Sequence, residues 1–137
     1  MSERVDTLME DFDRNPGASD QALQLLNDAA HGRLPTDYID WMRASNGGEG
    51  FLGPISYLIV WPVDEVLERN RRLEIPQRMP GVILFGSNGG DAAFGFDTRS
   101  TPSIRVVEIP YLDIGTVPGR ARATGFTELL EALAAEV

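Results

Sequence analysis

In the first third of the chain, apolar residues recur at intervals of three and four, which is the spacing of one helix face. A first helix is predicted with Ser2 as its cap and with an apolar stripe of Val5, Leu8, Met9 and Phe12. A second is predicted between a Ser19 cap and an end at His31 and Gly32, with an apolar face of Ala22, Leu23, Leu26 and Ala30. These patterns predict a helical layer that precedes any strand.

The third predicted helix, residues 34–45, has the clearest start and end signals. Pro35 suits its first position, and the negative charge of Asp37 suits its first turn, where the helix dipole is positive. Its apolar stripe consists of Tyr38, Trp41 and Met42. Asn46 and Gly47 follow, and both residue types adopt the left-handed conformation that ends a helix. We therefore expect the chain to turn sharply after this helix.

From Phe51 onward, β-branched and aromatic residues predominate and their spacing becomes that of strands. Four strands are predicted, at residues 55–61, 82–85, 92–96 and 104–109. A helix with the stripe Val63, Val66, Leu67, Asn70 and Leu73 separates the first two strands, and a last helix, capped by Thr124, carries Phe126, Leu129, Leu130 and Leu133. Residues 76–81 and 111–123 contain glycine and proline and are predicted as loops.

Short turns join the later strands, so neighbouring strands should pair in an antiparallel manner. We predict one domain over residues 1–137. Its fold class is α+β, with a central, mainly antiparallel sheet of four to six strands flanked by N-terminal, middle and C-terminal helices.

Charge and composition exclude several classes of function. The 137 residues include 21 acidic and 12 basic side chains, which gives a formal net charge of −9. This charge disfavours binding to nucleic-acid phosphates or to an anionic membrane surface, and no apolar run is long enough to cross a bilayer. We therefore expect a cytoplasmic protein with no nucleic-acid or membrane partner. The acidity fits either general solubility or a basic protein partner.

Residues with catalytic chemistry are few. The chain has no cysteine and one histidine, His31, so neither a thiolate site nor a histidine metal cluster can form. His31 follows a predicted helix end and is interpreted as a surface or capping residue rather than a catalytic one. The turn at residues 87–90 resembles a phosphate loop only in its glycines, since an acid and a strand follow it. We predict no catalytic, cofactor-binding or metal-binding residues and no cofactor.

Two further sets of residues have both a structural and a functional interpretation. Asp91 and Asp97 could approach each other across the predicted hairpin as a carboxylate pair, although solvated surface charge is the default. The large aromatic residues fit a core better than a ligand cage, and this set comprises Tyr38, Trp41, Tyr57 and Trp61.

The order of these motifs resembles that of the SUKH superfamily of Smi/Knr-type domains, which includes yeast cell-wall-assembly and killer-toxin-resistance regulators and many bacterial immunity proteins. A leucine-proline helix that runs into an asparagine-glycine turn is matched by Leu34, Pro35, Asp37, Tyr38, Asn46, Gly47 and Gly48. Later matches are Trp61, Asn70, the glycine turn of Phe85, Gly86, Gly89 and Gly90, the strand at residues 94–97 and the helix start at residues 125–130. The resemblance covers about residues 18–133.

The resemblance implies an α+β fold and a protein that is not an enzyme. Because bacterial members bind and block a toxin, often a nuclease, we expect an immunity protein, monomeric or weakly dimeric, whose partner is a basic toxin domain. A regulatory module in cell-wall or stress signalling is the alternative, and a neighbouring gene for a large secreted protein would favour immunity. The resemblance supplies no fixed contact residues. Near residues 47–53 and 87–91, or on the middle helix, our partner-binding candidates are Glu49, Asp64, Glu68, Asp91 and Asp97.

Overall fold

A single antiparallel sheet, in which each strand pairs with its neighbour along the chain, organises this protein. A computed structural model describes residues 3–99 and 104–137. These residues contain seven strands, which are β1 (Asp13–Arg14), β2 (Gly48–Leu52), β3 (Ser56–Val60), β4 (Val82–Ser87), β5 (Ala92–Asp97), β6 (Arg105–Pro110) and β7 (Arg120–Ala123). The register shifts between Leu84 and Gly86 of β4 and between Val106 and Val107 of β6.

Six α-helices lie within the same ranges, and they are α1 (Glu3–Leu8), α2 (Asp20–Ala29), α3 (Thr36–Ala44), α4 (Val63–Arg72), α5 (Ile75–Arg78) and α6 (Phe126–Ala134). Helix α4 packs beside α2 and against β4, while α6 packs against α1, α3, β2 and β7. The helices therefore cover one face of the sheet, which we call the inner face. The opposite side is the outer face.

The core on the inner face is built around packed aromatic rings. The ring of Tyr38 in α3 lies 5.5, 4.9 and 5.5 Å from the rings of Phe85, Phe96 and Phe126, measured between centroids. Phe85 and Phe96 stack with their centroids 4.1 Å apart. Because aromatic rings bury large apolar areas, this cluster fixes α3 and α6 against the middle of the sheet.

The asparagine-glycine turn after α3 fixes the start of α4. Asn46 Oδ1 accepts a hydrogen bond of 2.9 Å from the backbone N–H of Val63, which would otherwise lack a partner at the first turn of α4. Gly47 has a φ of 78°, and a Cβ at this position would lie 2.6 Å from the backbone oxygen of Val60. Glycine is therefore required both for the backbone conformation and for the close approach.

Two buried or partly buried polar side chains join helices to other elements. Asn70 of α4 donates from Nδ2 to the carbonyl of Leu84 at 2.8 Å and accepts at Oδ1 from the N–H of Leu84 at 2.8 Å. It therefore takes the place of a neighbouring strand where β3 no longer pairs with β4. Asp37 of α3 accepts at Oδ2 from the backbone N–H and the hydroxyl of Thr127, at 2.8 and 2.7 Å, and so caps the start of α6.

The α+β class and the antiparallel pairing predicted from the sequence are confirmed, whereas the predicted number of four to six strands is wrong. Strand β1 has only two residues, which is too short for any periodicity to reveal. Strand β2 lies in the glycine-rich segment 47–53, where no strand was predicted, and β7 lies in the expected loop 111–123. Helix α5 overlaps the start of the other predicted loop, 76–81, and Pro76 is compatible with its position in the first turn of a helix.

Several element ends also differ from the prediction. Pro35 has an extended ψ of 138° and precedes the first helical residue instead of occupying it. The same helix ends in an extended Ser45, so the left-handed residue in the turn is Gly47 and not Asn46. The N-terminal cap of α6 is Gly125 rather than Thr124, whereas Ser19 caps α2 as predicted. The predicted cap Ser2 and part of the connection between the predicted strands 92–96 and 104–109 lie outside the described residues.

Candidate functional site

The outer face of the sheet is covered on one half and accessible on the other. Over β4 to β6, residues 111–119 fold back onto the sheet. The contact is close, since a Cβ at Gly119 would lie 2.9 Å from Val107 Cβ. Ile114 of the same segment is buried. Over β2 and β3 the outward side chains stay exposed or half-exposed, and Phe51 has 52% of its surface accessible. We call this second half the open face, defined by Glu49, Phe51, Tyr57 and Ile59.

Strand register places the residues of the open face in two rows. Asp13 pairs with Glu49, Glu49 with Ile59, and Ile59 with Ser87, so these four residues form one row across β1 to β4. Since neighbouring strands lie about 4.8 Å apart, this row extends for roughly 14 Å. The second row consists of Phe51 and Tyr57, which pair across β2 and β3.

Aromatic rings occupy the centre of the open face. The rings of Phe51 and Tyr57 meet edge to face with centroids 5.0 Å apart, and the adjacent Ile55 is 57% exposed. The hydroxyl of Tyr57 donates a hydrogen bond of 2.6 Å to Glu49 Oε2. An exposed apolar strip fixed in place by a carboxylate is typical of a protein-binding surface.

A groove adjoins the open face where β3, the start of α4 and the β4–β5 turn meet. Its volume is about 310 Å³, and its lining is Glu49, Ile59, Trp61, Glu65, Arg69, Ser87, Gly89, Gly90 and Tyr111. The guanidinium carbon of Arg69 lies 4.6 Å from the centroid of the Trp61 ring. Arg69 also donates to Glu65 Oε1 from Nε at 3.2 Å and from Nη2 at 2.9 Å. The groove therefore combines aromatic walls with two carboxylates and one cation.

Acidic side chains border the open face along the β1 edge of the sheet. Glu10, Asp11 and Asp13 are exposed, as is Glu49 beside them. This segment lies directly against β2, because a Cβ at Gly50 would be 2.8 Å from the backbone oxygen of Asp11. We call Glu10, Asp11 and Asp13 the acidic edge. Its charges create a negative potential next to the aromatic strip.

The structure brings together only part of the predicted partner-binding set. Glu49 lies on the open face and lines the groove. Asp91 belongs to the β4–β5 turn beside the groove, and its backbone oxygen accepts from the N–H of Tyr111 at 2.9 Å. Asp64 and Glu68 are exposed on α4, outside the groove lining, and Glu68 forms an ion pair with Arg71.

Asp97 lies at the opposite end of β5 from Asp91. It ends β5, whereas Asp91 precedes the start of β5, so the six residues of that strand separate the two carboxylates by roughly 20 Å. The suggested carboxylate pair is therefore wrong. Asp97 is paired instead with Arg99, whose hydrogen bonds hold the pKa of the Asp97 carboxyl below its ordinary value.

Sequence reasoning did not select several residues of this region as partner contacts, among them Phe51, Ile59, Asp13, Arg69 and Tyr111. The spacing of Glu65 and Arg69 is a helical i, i+4 ion-pair signal that does predict their contact. No sequence signal places Asp13 or Tyr111, because their positions depend on pairing and folding-back between distant segments.

His31 and the large aromatic residues named in the sequence analysis form no catalytic site. His31 has a φ of 54°, and its N–H donates to the carbonyl of Asp28, so it caps the end of α2 as interpreted from the sequence. Tyr38, Trp41 and Trp61 are buried, as predicted, whereas Tyr57 lies on the open face and its assignment to the core is wrong. Across residues 3–99 and 104–137, no three His, Cys, Asp or Glu side chains converge as a metal site.

The Tyr57–Glu49 hydrogen bond makes a prediction about titration. That bond, partial burial and the charges of Glu49 and Asp13 raise the pKa of the Tyr57 hydroxyl. The bond therefore stabilises the folded state below a pH of about 10, and this contribution is lost as the pH rises through the raised pKa. We expect Glu49→Gln to lower the Tyr57 pKa towards its ordinary value, measured by NMR titration of labelled tyrosine. Glu68→Gln is the control, and an equal decrease in that variant would contradict the assignment.

The described part of the chain has no helix that is both long enough and apolar enough to cross a membrane.

Comparison with known proteins agrees with the motif order described above. The model of the SMI1 / KNR4 family (SUKH-1) matches residues 17–132, which include every strand except β1. The open face is thus inside the matched segment and the acidic edge is outside it. No curated protein matches the chain. The family includes immunity proteins and cell-wall regulators, and its members are generally non-enzymatic. Because the match extends over most of its length, the chain belongs to the SMI1 / KNR4 family (SUKH-1).

Proposed function

We propose that this protein is a non-enzymatic, cytoplasmic immunity protein that binds and neutralises a cognate bacterial toxin through the open face and the acidic edge. The observation that carries the proposal is the strip of exposed Phe51 and half-exposed Tyr57 and Ile59, flanked on one side by carboxylates. Interfaces place aromatic and aliphatic anchors at the centre and charged groups at the rim, which is the arrangement found here.

The charges at this surface support a basic partner. Many acids elsewhere are matched by an arginine, for example Glu68 by Arg71 and Asp97 by Arg99. Among the described residues, neither Asp13 nor Glu49 has a cationic side chain within ion-pair distance. Uncompensated carboxylates attract a basic protein and accelerate its encounter. A toxin that acts on nucleic acid carries such a basic surface, so a nuclease domain is the favoured toxin class.

The size of the surface is compatible with a stable complex when adjacent elements are included. A specific interface buries about 800 Å² on each partner. Such an interface takes in about 20–30 residues on each side, whereas four residues define the open face, so the β4–β5 turn and the exposed side of α4 would complete the contact. In such a complex the toxin is neutralised by steric occlusion, and the immunity protein needs no catalytic activity.

The proposal is tested with a basic toxin domain encoded beside the gene for this protein. We expect the purified proteins to form a complex and Phe51→Ala to weaken it by about tenfold or more, since central aromatic anchors contribute more than 1.4 kcal/mol. Leu25→Ala is the matched control, because Leu25 is 57% exposed on α2, which lies in the helical layer. Isothermal titration calorimetry measures both affinities.

Two outcomes would count against the proposal. If Leu25→Ala weakens the complex and Phe51→Ala does not, the toxin binds the helical layer. If no toxin domain binds and no secreted toxin is encoded nearby, a regulatory role in cell-wall or stress signalling replaces immunity.

A further inference from the structure

We infer that the groove beside the open face receives an arginine side chain of the bound partner. This inference rests on the proposed function, because it concerns what the partner places between Glu49 and Glu65. It names the chemistry of one contact, and the proposed function does not depend on it.

Each groove carboxylate has one oxygen available. Glu49 uses Oε2 to accept from the hydroxyl of Tyr57, and Glu65 uses Oε1 to accept both hydrogen bonds from Arg69. Within the described ranges, Glu49 Oε1 and Glu65 Oε2 accept no hydrogen bond. A guanidinium has five N–H donors in a planar fork, so one such group can supply donors to several acceptors at once.

The groove wall already binds a guanidinium of its own chain. Arg69 lies over the Trp61 ring while Glu65 accepts its N–H groups, which is the combination of aromatic face and carboxylate that suits arginine. Arginine is favoured over lysine because its guanidinium is planar, stacks on aromatic rings and is less strongly hydrated. The groove volume of about 310 Å³ corresponds to roughly ten water molecules, which leaves room for a second guanidinium.

Burial by a partner makes the cation necessary. When a protein covers the open face, Glu49 and Glu65 lose water, and a buried carboxylate without a donor is strongly unfavourable. The single charge of Arg69 cannot compensate both carboxylates. A cationic side chain from the partner removes this penalty, and it selects against partners that present an apolar or acidic residue at the same point.

The inference is tested on the free protein with N-acetyl-arginine-amide as the probe and N-acetyl-citrulline-amide as its uncharged analogue. We expect the arginine probe to cause saturable NMR shifts at Trp61 Nε1–H and at the amides of Gly89 and Gly90, and the citrulline probe to cause none. The Glu49→Gln and Glu65→Gln double variant should bind the arginine probe about tenfold more weakly. The matched control is Asp64→Asn with Glu68→Gln, which removes the same formal charge from exposed positions outside the groove lining.

Equal shifts with both probes, or unchanged binding in the Glu49→Gln and Glu65→Gln variant, would overturn the inference. An effect of the control variant as large as that of the groove variant would also overturn it, because the attraction would then be general. If the arginine probe fails while the toxin domain still binds, only this inference is lost. If the probe binds and the toxin domain does not, the proposed function is lost instead.

Discussion

Replacing Asn70 by alanine is expected to lower the free energy of unfolding by about 3 kcal/mol. The side chain of Asn70 bonds both the N–H and the carbonyl of Leu84, and all of these groups are buried. The variant leaves two backbone groups unpaired away from water, and each such group costs about 1–3 kcal/mol. Urea unfolding followed by circular dichroism measures the change.

The control for this prediction is Arg72→Ala, an exposed position on the same helix. Because alanine and arginine have similar helix propensities, this substitution should change the free energy of unfolding by less than about 0.5 kcal/mol. Asn70→Asp should also destabilise the fold, since it removes the Nδ2 donor to the Leu84 carbonyl. Similar stabilities of the Asn70→Ala and Arg72→Ala variants would show that the contact between α4 and β4 does not depend on this amide.

Reversing Asp13 and Glu49 together to lysine should slow association with the basic toxin domain by about 10-fold to 100-fold at low salt. Both residues are exposed in the same row of the sheet, one on the acidic edge and one on the open face. The substitutions replace an attractive potential with a repulsive one at the point where the partner first approaches. Stopped-flow measurements at low and moderate ionic strength give the rate and its salt dependence.

A matched variant separates local from overall charge in that experiment. Replacing Asp28 and Glu74 by lysine also raises the formal net charge by four units. Both double variants therefore change it from −9 to −5. Asp28 lies on α2 and Glu74 lies between α4 and α5, and both are exposed. If this variant slows association as much as the first one, the partner responds to the total charge and the open face has no special role.

Much of the fold was predictable because long elements have clear periodicity, and the exceptions have a common cause. Gly48 and Gly50 lie in a segment for which no strand was predicted, yet they belong to strand β2. A Cβ at Gly48 would lie 2.6 Å from the backbone oxygen of Asp13, and one at Gly50 would lie 2.8 Å from that of Asp11. Because these glycines lack a side chain, the backbone of residues 11–13 can approach β2 closely. The local sequence does not distinguish a glycine that allows such an approach from a glycine in a flexible loop.

The candidate site was predictable to a smaller extent. Glu49 and the turn at residues 87–91 were expected in one region, and strand pairing through Ile59 does bring them together. The contribution of Asp13 was not predictable, because β1 and β2 pair although α2 and α3 separate them along the chain. Asp97 was placed in the same set because of its charge alone, although the length of β5 separates it from the turn at residues 87–91.

The two ends of the sheet affect how the protein behaves at high concentration. Strand β1 has two residues and is followed by Asn15 and Pro16, while β7 has four residues, two of them arginines. Short, charged borders offer few free hydrogen-bonding groups to the border of another molecule, and proline has no backbone N–H to donate. The chain can therefore display Phe51 and its neighbours on its surface without these borders templating sheet-to-sheet aggregation.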